Sequence, residues 1–205
     1  MQTKNKKYLN KKTNREYYKK SDGNFMPLEK ALFAHKHLAR VAWVRDKVYQ
    51  IGSEKHLDLG CKDGYTCLTL QSEGIDCVGI DPSEDAIEEA RLKNDQAKLD
   101  CVFIQGYAED IPKHFSYFDS VSCMEVIEHV VDPDLLLQKI VELGAYLMLT
   151  TPDAEGRHGL IDSERNEEHL RMYTLKELEK LINKYYKIKE SVLIDDQICI
   201  LGIPK

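Results

Sequence analysis

Two short stretches of the sequence contain residues spaced for chemistry, and the first is HLDLGCKDGYTCL, residues 56–68. Asp58 stands two residues before Gly60, and Gly64 follows before apolar residues resume. A glycine loop between a buried strand and a helix brings backbone N–H groups close to a polar or anionic ligand. The dinucleotide pattern G-x-G-x-x-G fails here, because Lys62 and Tyr65 occupy two of its three glycine positions. The loop fits a ligand held by an acid and loop amides better than it fits a dinucleotide.

The second stretch is CMEVIEHVVDP, in which Glu125, Glu128 and His129 have i, i+3, i+4 spacing. On a helical turn these side chains would project from one face. Two carboxylates and an imidazole could hold a divalent cation, and oxygen-rich sites suit Mg²⁺ or Mn²⁺. A metal lowers the pKa of a bound hydroxyl, whereas a histidine without metal could serve as a general base. The same residues could also shape a pocket and bind no metal.

The elements that must position these residues follow from the hydrophobic pattern. Strand-like runs alternate with helical patterns, which predicts a parallel sheet covered on both faces. The strands are predicted at 55–60, 76–80, 100–105, 117–123 and 145–151, and the helices at 27–50, 64–73, 83–94, 107–112, 132–142 and 174–184. KIKESVLI and QICILGI then flank Asp195-Asp196 and predict an antiparallel hairpin. The predicted fold is α/β, a Rossmann-like seven-stranded, mostly parallel sheet with a C-terminal antiparallel hairpin and helices on both faces.

Composition and charge restrict the class of protein. The net charge is −6, although residues 1–20 carry eight basic side chains and one acidic one. We therefore predict a basic, partly disordered extension over 1–26 and a single acidic domain over 27–205. An acidic body does not favour a dedicated nucleic-acid surface, because phosphate binding depends on Lys and Arg.

The remaining composition is that of a soluble globular protein. No apolar run approaches the roughly 20 residues of a membrane span, and the N-terminus lacks the apolar core of a signal peptide, so we expect a cytoplasmic protein. The six cysteines form no C-x-x-C pair and are interpreted as small buried hydrophobic residues, with no zinc site.

Five segments in order resemble the motifs of class I S-adenosylmethionine (AdoMet) dependent methyltransferases. They are HLDLGCKDG (56–64), GIDPS (79–83), IQGYAEDIP (104–112), FDSVSCMEVIEHVVDP (118–133) and YLMLTTPD (146–153). The terminal hairpin is also typical of that family. Five motifs in the right order are far more specific than any one of them, and the resemblance covers roughly residues 40–205.

The resemblance implies that S-adenosyl-L-methionine is the cofactor. Asp81 would accept hydrogen bonds from the ribose hydroxyls, and Ala108 and Glu109 would border the adenine. The implied cofactor-binding residues are Asp58, Gly60, Cys61, Lys62, Gly64, Asp81, Pro82, Ala108, Glu109 and Met124. The chemistry agrees, since the sulfonium, ammonium and carboxylate of AdoMet require carboxylates and N–H donors together. The alternatives are that Asp58 caps the loop backbone and that Asp81 is a helix N-cap.

The fourth motif most resembles the ubiquinone-biosynthesis type of O-methyltransferase, in which a similar E-x-x-E-H turn is associated with magnesium. It also resembles the small-RNA 2′-O-methyltransferases, which add a histidine from a later loop. That resemblance makes His169 a candidate, with Glu125, Glu128 and His129, for binding Mg²⁺ or Mn²⁺. Glu125, His129 and His169 are the candidate catalytic residues.

The leading hypothesis is O-methylation of a small molecule by direct methyl displacement. The acceptor pocket would lie between the helix at 27–50 and an active-site lid at about 151–173. One alternative is metal-dependent RNA 2′-O-methylation, and another is a non-catalytic AdoMet-binding subunit, for which Lys62 is the best evidence. The sequence specifies neither the acceptor nor the oligomeric state.

Lys62 leaves two outcomes open. Its backbone could adopt an ordinary conformation, with the ammonium pointing outward or toward the cofactor carboxylate. Alternatively the position requires a positive φ, at a cost of about 1 kcal/mol.

Overall fold

The protein forms one seven-stranded sheet in the strand order β3-β2-β1-β4-β5-β7-β6. The structure is a computed structural model and describes residues 19–20, 23–36, 38–111, 115, 117–156 and 169–205. The strands are β1 Lys55–Leu59, β2 Asp76–Asp81, β3 Val102–Gln105, β4 Ser120–Met124, β5 Tyr146–Pro152, β6 Tyr186–Ile194 and β7 Gln197–Pro204. The α-helices are α1 Leu28–Ala31, α2 Ala39–Gln50, α3 Tyr65–Ser72, α4 Glu84–Ala97, α5 Pro133–Val141 and α6 Leu175–Ile182.

The first five strands are parallel, whereas β7 pairs antiparallel with both β5 and β6. Asp195 and Asp196 join β6 to β7 with φ of 49° and 62°. Two consecutive positive φ angles are those of a type I′ turn, whose twist matches that of the flanking strands. The predicted fold class and its terminal hairpin are confirmed.

Both faces of the sheet are covered, as the alternation of strands and helices predicts. One apolar cluster joins the sheet to α5 and α6, and the other joins it to α2, α3 and α4. Neighbouring residues of β5 alternate between the clusters, with Leu147 and Leu149 in the first and Met148 in the second. All six cysteines are buried and unbridged, in agreement with their interpretation as small hydrophobic residues.

The prediction of one continuous helix over 27–50 is wrong. The chain forms α1, a 3-10 turn at Ala34–Lys36 and then α2, and Leu38 before α2 is extended at φ −123° and ψ 109°. The break lets α1 pack against α3, where the Thr69 hydroxyl donates to the Ala31 carbonyl at 2.8 Å. The predicted helix at 107–112 is likewise only a 3-10 turn, Ala108–Asp110.

The strand order reverses between β1 and β4. In open α/β sheets a crevice forms at such a switch point, outside the carboxyl ends of the strands. The loops that follow β1, β2 and β4 therefore converge on one place.

Within the described residues, no helix combines the length and apolar character that crossing a membrane requires.

Candidate functional site

The loop after β1 turns three times through the left-handed region, with φ of 75° at Gly60, 49° at Lys62 and 79° at Gly64. Neither Gly60 nor Gly64 could carry a side chain unless neighbouring atoms moved. A Cβ at Gly60 would lie 2.3 Å from Cγ2 of Val126, and one at Gly64 would lie 2.6 Å from the Phe103 ring. Of the two outcomes for Lys62, the structure shows the positive φ.

Asp81 at the end of β2 fixes this loop. Its carboxylate accepts hydrogen bonds from the backbone N–H groups of Lys62 and Ser83, both at 2.9 Å. The N-cap of α4 is Ser83, whose hydroxyl accepts from the Ala86 amide, so the alternative of Asp81 as the N-cap is wrong. A carboxylate has about four lone-pair positions, so these two bonds leave Asp81 with acceptor capacity for hydroxyl groups.

Asp58 is 1% exposed and accepts a hydrogen bond of 2.6 Å from the Ser122 hydroxyl. The loop amides of Gly60 and Cys61 donate instead to the Ile80 carbonyl, so Asp58 does not cap them. Burial raises the pKa of Asp58 to about 7, because a desolvated carboxylate loses its hydration. A cationic partner such as an ammonium would favour its charged form.

The other predicted cofactor residues lie at the same edge of the sheet. Ala108 is buried in the 3-10 turn after β3, and the Glu109 carbonyl next to it accepts a hydrogen bond from the Lys139 ammonium. Met124 is buried at the end of β4, and Pro82 follows Asp81. All ten predicted cofactor residues therefore lie in the last two residues of one of the strands β1 to β4 or in the connection that follows it.

A second cluster lies just beyond β4. Glu128, His129 and His169 each offer a ligand atom, and these atoms all lie within 4.8 Å of one another. The two imidazole rings meet edge to face with centroids 4.7 Å apart. The Leu170 amide donates to the Glu128 carbonyl at 3.0 Å, which holds the segment with His169 against this turn.

Glu125 does not share the face of Glu128 and His129, contrary to the prediction. The chain at Glu125 is not helical, since its φ is 55°, and the helical spacing argument does not apply there. Its carboxylate accepts hydrogen bonds of 2.9 Å from the Thr150 hydroxyl on β5 and from the Gln197 amide on β7. Among the described residues, Glu125 is not in the cluster spaced for a metal.

The loop after β1 contains an ion pair that the sequence does not indicate. Asp63, 1% exposed, accepts from the Lys93 ammonium of α4 at 2.6 Å, and Lys93 is 3% exposed. The same carboxylate oxygen accepts from the Met26 amide at 2.6 Å. The pair therefore joins the loop to α4 and to the chain that precedes α1. The C-K-D-G sequence marks a loop but does not indicate which partner Asp63 meets.

Arg40 at the start of α2 is a second charged side chain that the sequence does not single out. Burial opposes its charge, but Tyr65 and Glu125 hold the pKa of the guanidinium above its ordinary value. A single cation amid the apolar residues of LARVAWV is the only signal that the sequence offers.

Part of the predicted lid, 157–168, lies outside the described residues.

Known proteins resemble this chain in sequence. The family model described as a methyltransferase domain matches residues 16–185. Ubiquinone biosynthesis O-methyltransferase of Pectobacterium atrosepticum is 28% identical over 134 residues, covering 63% of this chain and 54% of the relative. The protein of the same name from Salmonella arizonae is 26% identical over 155 residues, covering 74% and 62%. The chain thus spans somewhat more than half the length of these relatives.

Solved structures resemble it in fold. Magnesium protoporphyrin IX methyltransferase from Synechocystis PCC 6803, with bound SAH, superposes with a TM-score of 0.70 at 16% identity and covers 93% of both chains. A possible histamine N-methyltransferase from Thermotoga maritima gives 0.65 at 20% identity, covering 86% of this chain and 94% of the other. At these identities the similarity establishes a common fold.

Proposed function

Since this chain belongs to the class I AdoMet-dependent methyltransferase family, we propose that it transfers the AdoMet methyl group to a hydroxyl group of a small molecule. The observation that carries the proposal is the loop at residues 60–64. It follows Asp58, is hydrogen-bonded to Asp81 through the Lys62 amide and lies at the switch point of the sheet. The similarity to O-methyltransferases supports oxygen as the acceptor atom.

The cofactor would bind across the carboxyl ends of β1 and β2. Asp58, buried and at the start of the loop, is placed to pair with the ammonium of the methionine part. Asp81 retains acceptor capacity for the two ribose hydroxyls. Ala108 and Glu109 follow the next strand and would border the adenine.

The acceptor would bind near Glu128, His129 and His169. In the reaction the acceptor oxygen attacks the methyl carbon, the carbon–sulfur bond breaks, and the sulfonium becomes the neutral thioether of S-adenosylhomocysteine. The acceptor hydroxyl loses its proton. Without a metal, His129 or His169 would be the base, because a neutral imidazole accepts a proton near neutral pH, whereas with both imidazoles bound to a metal the proton would pass to water. Glu125, held by β5 and β7, would line the pocket.

A divalent cation is part of the proposal. One carboxylate and two imidazoles within 4.8 Å form a mixed oxygen and nitrogen donor set. Such a set fits Mn²⁺ better than Mg²⁺, which prefers oxygen ligands alone. Glu128, His129 and His169 would hold the ion, which when bound would lower the pKa of an acceptor hydroxyl.

The test is transfer of a radiolabelled methyl group from AdoMet to a panel of hydroxylated small molecules, with Mn²⁺, with Mg²⁺ or with a chelator. We expect label in at least one catechol-like or aliphatic hydroxyl compound. Asp81→Asn is the control, because any methyl transfer that this variant retains does not depend on the proposed AdoMet site. Label in amines or thiols alone would contradict oxygen as the acceptor.

Methylation of an RNA 2′-hydroxyl is a second candidate, favoured by the approach of His169 to the E-x-x-E-H turn. The excess of 35 acidic over 29 basic residues disfavours it, because RNA binding depends on Lys and Arg. Short single-stranded and duplex RNAs belong in the same panel. Label in RNA alone would replace the first proposal with this one.

A further inference from the structure

A row of polar side chains runs through the buried centre of the sheet. His56 and Asp58 lie on one face of β1, and in the parallel register they stand opposite Ser120 and Ser122 of β4. His56, Ser120 and Ser122 are all fully buried. Polar groups in such a position cost free energy unless they are hydrogen-bonded, so their partners indicate why they are there.

Four hydrogen-bond contacts join these side chains and Ser53 into one continuous chain. Ser53 Oγ lies 2.8 Å from Ser120 Oγ, and Ser120 Oγ lies 2.7 Å from Nδ1 of His56. Nε2 of His56 lies 2.7 Å from Ser122 Oγ, and Ser122 Oγ lies 2.6 Å from Oδ1 of Asp58. The chain therefore ends on the carboxylate at the start of the cofactor loop.

An ionised Asp58 fixes the direction of every hydrogen bond in the chain. A carboxylate only accepts, so the one hydroxyl proton of Ser122 must point to Asp58. The Ser122 oxygen must then accept from His56, which places the proton on Nε2. Nδ1 is left as an acceptor for the Ser120 hydroxyl, and Ser120 accepts in turn from Ser53. Aligned hydrogen bonds of this kind polarise and strengthen one another.

We propose that His56 is a positioning residue for the cofactor site: its Nε2–H group orients the Ser122 hydroxyl toward Asp58 and so holds that carboxylate as an anion for the ammonium of AdoMet. The inference rests on the proposed function for the identity of the ligand, AdoMet. The direction of the hydrogen bonds between Ser53 and Asp58 does not depend on any ligand. His56 would act through Ser122, without contact to the cofactor.

The charges around Asp58 make this support necessary. Burial and the nearby charge of Asp81 raise the pKa of Asp58, the Ser122 and Thr66 hydroxyls lower it, and the net value is about 7. Burial lowers the pKa of His56 to about 3, so the ring stays neutral. Among the described residues, the charge of Asp58 also acts on Cys61, Tyr65, Cys67 and Cys123, and burial raises the pKa of each.

The direct test is the tautomer of His56, read from two-bond ¹H–¹⁵N correlations of ¹⁵N-histidine-labelled protein at pH 8 without AdoMet. His56→Gln identifies the resonance by its loss. We expect a neutral ring protonated at Nε2. A ring protonated at Nδ1 would require Ser122 to donate to His56 and not to Asp58, and would overturn the proposal.

The second test is calorimetric AdoMet binding between pH 6 and 8.5. We expect Ser122→Ala to bind about fivefold more weakly at pH 7, since loss of a hydrogen bond to a charged group raises the pKa of Asp58 by about one unit from about 7. His56→Leu keeps the Ser122 hydroxyl but removes the group that orients it, and should show a smaller loss in the same direction. The difference in AdoMet affinity between these variants and the wild type should narrow at pH 8.5, where Asp58 is ionised in every variant. His56→Gln, whose amide can donate near the Nε2 position, should bind within about twofold of the wild type.

Ser53→Ala is the matched control, because it removes a buried hydroxyl at the far end of the same chain. It should leave the pH dependence nearly unchanged. Failure of the wild-type protein to bind AdoMet would contradict the proposed function. Normal wild-type binding, with the same pH dependence in Ser122→Ala and His56→Leu, would overturn the role of His56.

Discussion

At the residue scale, the site contains two side chains on left-handed backbone, Lys62 and Glu125, at φ of 49° and 55°. Such a conformation costs a non-glycine residue about 1–2 kcal/mol. The sequence identifies Lys62 as unusual, because glycine is expected there. Nothing in EVIEH marks Glu125, since its conformation depends on Thr150 and Gln197, which lie far along the chain.

We predict that Lys62→Gly is more stable than Lys62→Ala by about 1 kcal/mol, because both remove the ammonium near Asp81 and only glycine adopts positive φ without strain. Urea unfolding monitored by circular dichroism measures the difference. Lys62→Ala is the control, since it removes the ammonium but keeps the strained backbone. Equal stability of the two variants would contradict the strain at this position.

We predict that Glu128→Gln weakens Mn²⁺ binding at least about tenfold, because the cluster loses its only carboxylate and its negative charge. Electron paramagnetic resonance of free Mn²⁺ gives the dissociation constant. Glu125→Gln is the matched control and should bind Mn²⁺ like the wild type, since Thr150 and Gln197 hold that side chain elsewhere. Equal losses in both variants would indicate the four-ligand site that the sequence suggests.

At the scale of elements, strands and the terminal hairpin could be predicted because their signals are local. Apolar runs mark the strands, and Asp195-Asp196 marks the turn. The 27–50 segment could not be divided correctly, because the apolar spacing is compatible with one helix and the break at Leu38 arises from packing on α3. The pair Asp63 and Lys93 likewise depends on how α4 packs beside the loop.

We predict that Lys93→Met destabilises the protein by about 3–5 kcal/mol, because it leaves the Asp63 carboxylate buried without its cation. Chemical denaturation measures the loss. Glu89→Gln removes the second, more exposed partner of Lys93, at 3.4 Å, and should change stability by less than about 1 kcal/mol. The double variant Asp63→Leu, Lys93→Met should recover part of the loss, and no recovery would contradict the account of the pair.

At the scale of the whole molecule, the order β3-β2-β1-β4-β5-β7-β6 brings motifs that are distant in sequence to one edge of the sheet. The order of the motifs in the sequence was enough to predict the family. The hydrogen-bond chain from Ser53 to Asp58 was not predictable, because it depends on the register of β1 against β4.

Stability should depend on pH through Asp58. Its pKa is about 7 in the folded protein, above the ordinary value of 3.8, so between these pH values only the folded state keeps the proton. Raising the pH through this window therefore removes stability. We predict that the unfolding free energy of Asp58→Asn, minus that of the wild type, rises by about 2–4 kcal/mol from pH 4 to pH 7 and then levels off.

Asp119→Asn is the control with the opposite sign. Burial raises the pKa of Asp119, but bonds from Tyr117 and the amides of Glu54 and Lys55 outweigh it and hold the pKa below its ordinary value. Asp119 thus contributes stability that is lost as the pH falls through its folded pKa. A series of denaturation curves at different pH compares the two variants, and the same slope in both would contradict the assignment for Asp58.

The most direct test of the central claim, that AdoMet binds across the ends of β1 and β2, is calorimetric titration of AdoMet into the wild type and Asp81→Asn. We predict saturable binding by the wild type and at least about tenfold weaker binding by the variant, because ribose hydroxyls would lose a charged acceptor. The Lys62 and Ser83 amides donate to different oxygens of Asp81, so the asparagine carbonyl keeps only one of these hydrogen bonds, and the comparison requires a variant with the wild-type circular dichroism spectrum. No binding to the wild type at millimolar AdoMet, or equal affinity in both proteins, would contradict the account.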